Sequence, residues 1–325
     1  MNQQKILVVY NICGLGRRPS VDHYFKCIDS FLDQDLDNYR IIVSSCMSHP
    51  DDFRSIHKRY KDKVSYVYHH EPHIVNITFN KSVQEYVNVN GPAESYMFVD
   101  SGCSFEDPET GKHQNNILTN TYNTFKETEK SMLSIQVDTD EGLQLLDPQY
   151  KWESSGVQIV NEHFHIPLGK AINCHITLFS NEHYEAYNKK IVPDVFAAYC
   201  TESTFRYLAA AIKTKWYIMK DQQVRHLKEV EGASLSQPHV SQTYHNTWNN
   251  LMYNRNALDF INDEEVKKSG IGYEECNDIL PHNSNAYDQN DMPIDPSNMK
   301  KLINKYFFLS DNELNYDSIK VTTRI

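Results

Sequence analysis

Between residues 5 and 100 the chain alternates short β-branched runs with helically spaced ones, and no other feature narrows the choice of fold as much. KILVVY (5–10), YRIIVSS (39–45), KVSYVYH (63–69) and SYMFVD (95–100) read as strands. Between them, SVDHYFKCIDSFLDQ (20–34) sets Val21, Tyr24, Phe25, Ile28, Phe31 and Leu32 at helical spacing behind Ser20 as N-cap. DDFRSIHKRY (51–60) and NITFNKSVQEYVN (76–88) read as the next helices. Successive βα units of this kind predict an α/β fold with a mostly parallel sheet. The fourth strand runs directly into Asp100, Ser101 and Gly102. That triplet is good turn chemistry, and it also places a carboxylate at the carboxyl end of a central strand, where open α/β sheets bind ligands.

Beyond about residue 113 the rhythm loosens. SMLSIQV (131–137) and CHITLFS (174–180) read as strands of an antiparallel addition, STFRYLAAAIK (203–213) as a helix and WYIM (216–219) as a short strand. From about 244 the chain is rich in Asn and Asp, and 282–298 reads as a loop between helical pieces. A chain of 325 residues with 40% hydrophobic content can bury one large core or two smaller ones. The net charge of -11 argues against a general nucleic-acid binder. Seven cysteines without a CxxC suggest neither a disulfide scaffold nor a zinc ribbon and fit reduced thiols in a cytosol, so a cytoplasmic location is expected. No apolar run approaches the roughly 18 residues of a membrane span.

Several motif readings fall away. GLGRRP (14–19) lacks the third glycine of a dinucleotide loop and reads better as a flexible turn carrying Arg17 and Arg18. HHEPH (69–73) and EHFH (162–165) carry metal-type residues without HExxH spacing, in a chain whose 15 histidines generate such clusters readily. There is no GxSxG and no GxxxxGK[ST].

Taken in order, Tyr10-Asn11 ending the first strand, FLDQDLDNYRIIV, NITFNKSV and MFVDSG resemble the nucleotide-sugar glycosyltransferases of the GT-A fold, most nearly the inverting, family-2-like group. The resemblance covers about residues 5 to 235, with PDVFAAYCTESTFRYL (193–208) and VRHLKEVEGAS (224–234) standing where that group has its base-bearing helix start and its histidine. It implies a Rossmann-like, mostly parallel mixed sheet flanked by helices over 1–240, divided into a nucleotide-sugar-binding half (1–112) and an acceptor and catalytic half (113–240). A mainly helical C-terminal extension follows at 241–325, serving as a lid or as the contact of a homodimer.

The implied activity is hexosyl transfer from a nucleotide-diphosphate sugar, UDP-linked in the first instance, to a glycan, lipid-linked or protein hydroxyl. A sugar-phosphate nucleotidyltransferase and a non-catalytic binding module of the same fold are the alternatives. By resemblance Asp100 and His226 hold Mn²⁺ or Mg²⁺, which offsets the charge of the leaving diphosphate. Glu202 is the general base with Asp194 in reserve, and Tyr10, Asn11, Arg17, Ser44, Asn80, Lys81 and Ser101 bind the donor. Three positions depart from the pattern. Gly102 stands where a second carboxylate is usual, which weakens the expectation of a metal; Ser44 and Ser45 replace the acid that receives the base; and Phe79 replaces an Arg, leaving the pyrophosphate to Lys81, Arg17 or Arg18.

Overall fold

A computed structural model describes residues 3–13, 20–46, 48–71, 73–139, 142–143, 158–160, 163–165, 175–194, 201–227, 259–260, 262–271, 283–290, 292–310 and 314–325. The alternation of the first hundred residues is realised as β1 (Ile6–Cys13), α1 (Val21–Leu32), β2 (Tyr39–Cys46), α2 (Pro50–Tyr60), β3 (Ser65–His69), α3 (Val75–Asn90) and β4 (Ser95–Val99). Ser20 caps α1, its hydroxyl accepting from the Asp22 amide. Next come β5 (Cys103–Ser104), α4 (Ile117–Glu127), β6 (Met132–Thr139), β7 (Gly142–Leu143), β8 (Gln158–Val160), β9 (His163–His165), β10 (Ile176–Ser180) and α5 (Asn181–Ala186). The last elements are α6 (Thr201–Ala211), β11 (Trp216–His226), α7 (Glu264–Ser269), α8 (Pro296–Tyr306) and β12 (Val321–Arg324).

Among the described residues the strands belong to one 12-stranded sheet whose main path is β12-β3-β2-β1-β4-β10-β6-β11-β9-β8. From β3 to β11 the strands run parallel except β10, which is antiparallel to both β4 and β6. Alternation along each strand divides the interior into two layers. Leu7, Val9, Ile42 and Val67 pack under α3, α6 and α8, against Phe79, Val83, Phe205, Leu302 and Ile303. Ile6, Val8, Ile41 and Val43 pack on the other side against Tyr24, Ile28 and Phe31 of α1, Ile56 of α2 and Phe125 of α4. Each such side chain contributes roughly 1.5–3 kcal/mol by leaving water.

The C-terminal extension shares this interior. Phe260, Val266, Met299, Leu302 and Phe307 lie in the same apolar cluster as Leu7 and Val9. The extension is helical through α7 and α8 and then ends in β12, which pairs antiparallel with β3 and covers the sheet edge. WYIM proves to be only the start of β11, which continues to His226 across an irregularity between Met219 and Gln223. The exposed Lys220 and Asp221 at that irregularity break the apolar run that would have revealed the longer strand.

Candidate active site

The site grows from the register of β4 with its neighbours. Val99 ends β4 opposite Ile176, the first residue of β10, so the next residue of one strand meets the preceding residue of the other: Asp100 beside His175. The Asp100 amide donates to the His175 carbonyl at 2.9 Å, and His175 Nδ1 lies 3.0 Å from Asp100 Oδ2. β5 then pairs with the end of β11, setting His226 opposite Cys103. A Cβ on Gly102 would stand 2.4 Å from His226 Nε2, so the glycine is the space the imidazole occupies. The rings of His175 and His226 are 5.2 Å apart.

The turn is held from below. Tyr10, buried in β1 opposite Val99, donates its hydroxyl to the Ser101 carbonyl at 2.6 Å, and His23 Nε2 lies 3.3 Å from the same oxygen. The Ser101 amide donates to Asp100 Oδ1 at 2.7 Å. Burial pushes the Asp100 carboxyl up, but the His175 hydrogen bond, the charges of His175 and His226 and the Ser101 amide outweigh it and hold the carboxyl below its usual range. With its side chain 39% exposed, Asp100 is an ionised, anchored carboxylate open to a ligand. Farther down β11, Arg225 sits 3.8 Å from the buried Glu106, which Lys26 approaches at 3.3 Å; this cluster fixes the strand end that carries His226.

Other expected donor residues are placed differently. Asn80 is 1% exposed, and its amide is used internally: Oδ1 accepts from the amides of Ile191 and Val192, and Nδ2 donates to the Val192 carbonyl at 2.8 Å. Asp194, the reserve base, has no exposure; Lys190, the Leu309 amide, Asn80 and Tyr316 all donate to it. Among the described residues this carboxylate is enclosed and ion-paired with Lys190. Ser44 is buried and bonded to Ser82 of α3, and Lys81 is buried against Glu85 at 2.7 Å. Asn11 is 1% exposed, and neither amide atom has a hydrogen-bond partner among the described residues. Arg17 lies outside the described residues, and so does the side chain of Glu202, whose backbone opens α6.

His175 is the residue that reading the sequence missed. It precedes a plain apolar strand, and only the pairing of β10 with β4 carries it to Asp100. Among the described residues, no group of three or more His, Cys, Asp or Glu side chains is arranged to hold a metal. Asp100 and His226, the pair expected to hold a cation, are brought to one turn, where the charge of His226 acts on the Asp100 carboxyl.

The overall architecture has a counterpart among solved structures. The mannosyltransferase PcManGT from Pyrobaculum calidifontis, in complex with GDP-Man and Mn²⁺, superposes with a TM-score of 0.52 at 12% identity, covering 79% of this chain and 65% of that one. The fold is GT-A. TarS of S. aureus (residues 1–349) gives a TM-score of 0.48, also at 12% identity, over 69% of this chain and 60% of that one. The chain thus spans less than two thirds of the length of either protein. No protein-family model matches the sequence, and no curated protein matches it. No helix among the described residues is long and apolar enough to cross a membrane.

Proposed function

We propose that the protein is a glycosyltransferase that moves a hexosyl group from a nucleoside-diphosphate sugar, UDP-linked in the first instance, to a hydroxyl acceptor with inversion. The observation that carries this reading is Asp100: an ionised carboxylate at the carboxyl end of a central strand, anchored by Tyr10 through the Ser101 turn and flanked by two imidazoles. The GT-A fold and its crevice at the strand ends support it. Asp100 and His226 would hold Mn²⁺ or Mg²⁺, which when bound supplies positive charge to the departing diphosphate. His175 orients the Asp100 carboxylate through its 3.0 Å contact with Oδ2.

Glu202, in the first turn of α6, takes the proton of the acceptor hydroxyl as its oxygen attacks the anomeric carbon and the bond to the diphosphate breaks. The helix N-terminus favours its ionised form. The acceptor is a glycan, lipid-linked or protein hydroxyl, and the setting cytoplasmic.

The test is a donor screen with Mn²⁺ and with chelator, read as thermal shift and as release of nucleoside diphosphate. UDP or GDP should raise the melting temperature in proportion to occupancy, and Asp100→Ala should abolish transfer with the melting temperature of the unliganded protein retained. Near-normal turnover by Asp100→Ala removes the assignment. Donor binding without release points to a binding module, and pyrophosphate-forming turnover to a nucleotidyltransferase. Glu202→Gln should keep donor affinity and lose roughly 10²- to 10⁴-fold in rate.

A further inference from the structure

Strand β11 follows β6 in two stretches that do not run on from each other. Trp216 to Met219 pair with Met132 to Ile135, and Gln223, Val224 and Arg225 then pair with Gln136, Val137 and Asp138. Lys220, Asp221 and Gln222 leave the ladder between them, the first two exposed and Gln222 buried. Had β11 run straight, every residue beyond Met219 would meet β6 three places, roughly 10 Å, farther along. Val224 would lose its place beside Val137 in the apolar layer, and His226 would overshoot Gly102. The excursion is thus what lets one strand match β6 at its base and β5 at its tip, where Arg225 and His226 pair with Ser104 and Cys103.

Residues that leave a ladder take their carbonyls with them, and buried carbonyls need donors. Two glutamine side chains supply these. The buried Gln136 of β6 donates Nε2 to the Met219 carbonyl at 3.0 Å and to the Lys220 carbonyl at 2.6 Å, where the excursion begins. Gln114 donates Nε2 to the Gln223 carbonyl at 2.7 Å, where it ends. Gln114 is itself tied to the core: its amide donates to the Phe105 carbonyl at 2.8 Å, and its carbonyl accepts from Gln34 Nε2 at 2.7 Å. Phe105 in turn donates its amide to Ser30 of α1 at 2.9 Å. Beyond Gln223 the strand has little slack, because the Arg225 amide donates to the Glu106 carbonyl and the Leu227 amide to the Gly102 carbonyl, on either side of His226.

We propose that Gln136 and Gln114 are positioning residues for His226: their amides staple the two ends of the 220–222 excursion and thereby fix the tip of β11 that lays the imidazole over Gly102. Neither glutamine acts on the imidazole directly. Each sets where Gln223 begins the last stretch of strand, and a ring that fills the place of a Gly102 Cβ leaves no room for a different start. A bulge that re-aims a side chain beside a site is a recurrent use of this irregularity. The placement of His226 can be tested without catalysis; its kinetic consequence rests on the glycosyltransferase reading.

The test is NMR of the full-length chain with labelled histidine rings, the His226 resonance being assigned by its loss in His226→Gln. In the wild type this resonance should shift on Asp100→Asn, since the two charges act on each other. Gln136→Met and Gln114→Met keep the length of the side chain and remove the amide. Each should move the His226 resonance, weaken its response to Asp100→Asn and lower the transfer rate by up to roughly 10²-fold. Deleting residues 220–222 from the Gln136→Met chain joins Met219 to Gln223 in the register they already have on β6, so it should restore both the resonance and the rate. A general loss of stability would not be rescued in this way. If Gln136→Met does not fold by circular dichroism, Gln114→Met with and without the deletion decides. A His226 resonance that is unchanged in the folded glutamine variants overturns the proposal, and so does a fall in rate that the deletion leaves in place. A wild type that transfers no sugar removes the glycosyltransferase reading instead, and the resonances still decide the positioning.

Discussion

At Gly102 the missing side chain is itself a structural element, because any Cβ would meet the His226 imidazole at 2.4 Å. This accounts for the absence of a second carboxylate after Asp100: the space is filled by a ring from another strand. Gly102→Ala should displace His226 while leaving the sheet intact. We expect transfer to fall roughly 10²-fold, the scale of an ångström-sized misplacement, with little change in the melting temperature. Unchanged kinetics would show that the position of His226 is unimportant. At this scale the sequence offered Asp100, His226 and Tyr10 as candidates, and the structure sets them around one turn. Asn80 and Asp194 are buried and bonded to internal partners, which residue type alone does not reveal.

Helix α3 shows why. Its buried Asn80 closes the 191–192 loop through three backbone hydrogen bonds, so Asn80→Ala should lower stability by about 1–3 kcal/mol, the cost of unsatisfied buried groups. Denaturant unfolding measures this, and donor affinity at saturating stability should be unaffected. The same loop is held from α5, where His183 Nε2 lies 2.7 Å from the Ile191 carbonyl. Burial lowers the His183 pKa from 6.5 to about 4. The unfolded chain therefore takes up a proton that the folded chain refuses. His183 leaves stability intact above pH 6.5, and stability falls by up to about 1.4 kcal/mol per pH unit as pH drops from there toward 4. His183→Gln should flatten the melting temperature against pH in that window, and an equally steep profile in the variant would show that other groups dominate.

In the whole molecule, the C-terminal extension is locked to the GT-A core by a buried cluster: Lys190 and Tyr316 converge on Asp194, while β12 covers the edge of β3. Lys190→Met leaves the Asp194 charge without its cation and should cost about 3–5 kcal/mol. Deleting residues 314–325 removes Tyr316 and bares the β3 edge, so light scattering should detect self-association. A monomeric, equally stable truncation would mean that the strand is ornamental. The sequence by itself determined the βα order of the first hundred residues, the Ser20 cap of α1 and the carboxylate at the end of β4, because hydrophobic period and capping chemistry are local. Only the tertiary structure decided that β10 runs antiparallel beside β4, which brings His175 to Asp100, and that β5 meets the end of β11, which lays His226 over Gly102. The physical reason is the same in each case: strand pairing joins residues far apart in the chain through backbone hydrogen bonds that carry no side-chain signature, so the sequence holds the parts of a site without the distances between them.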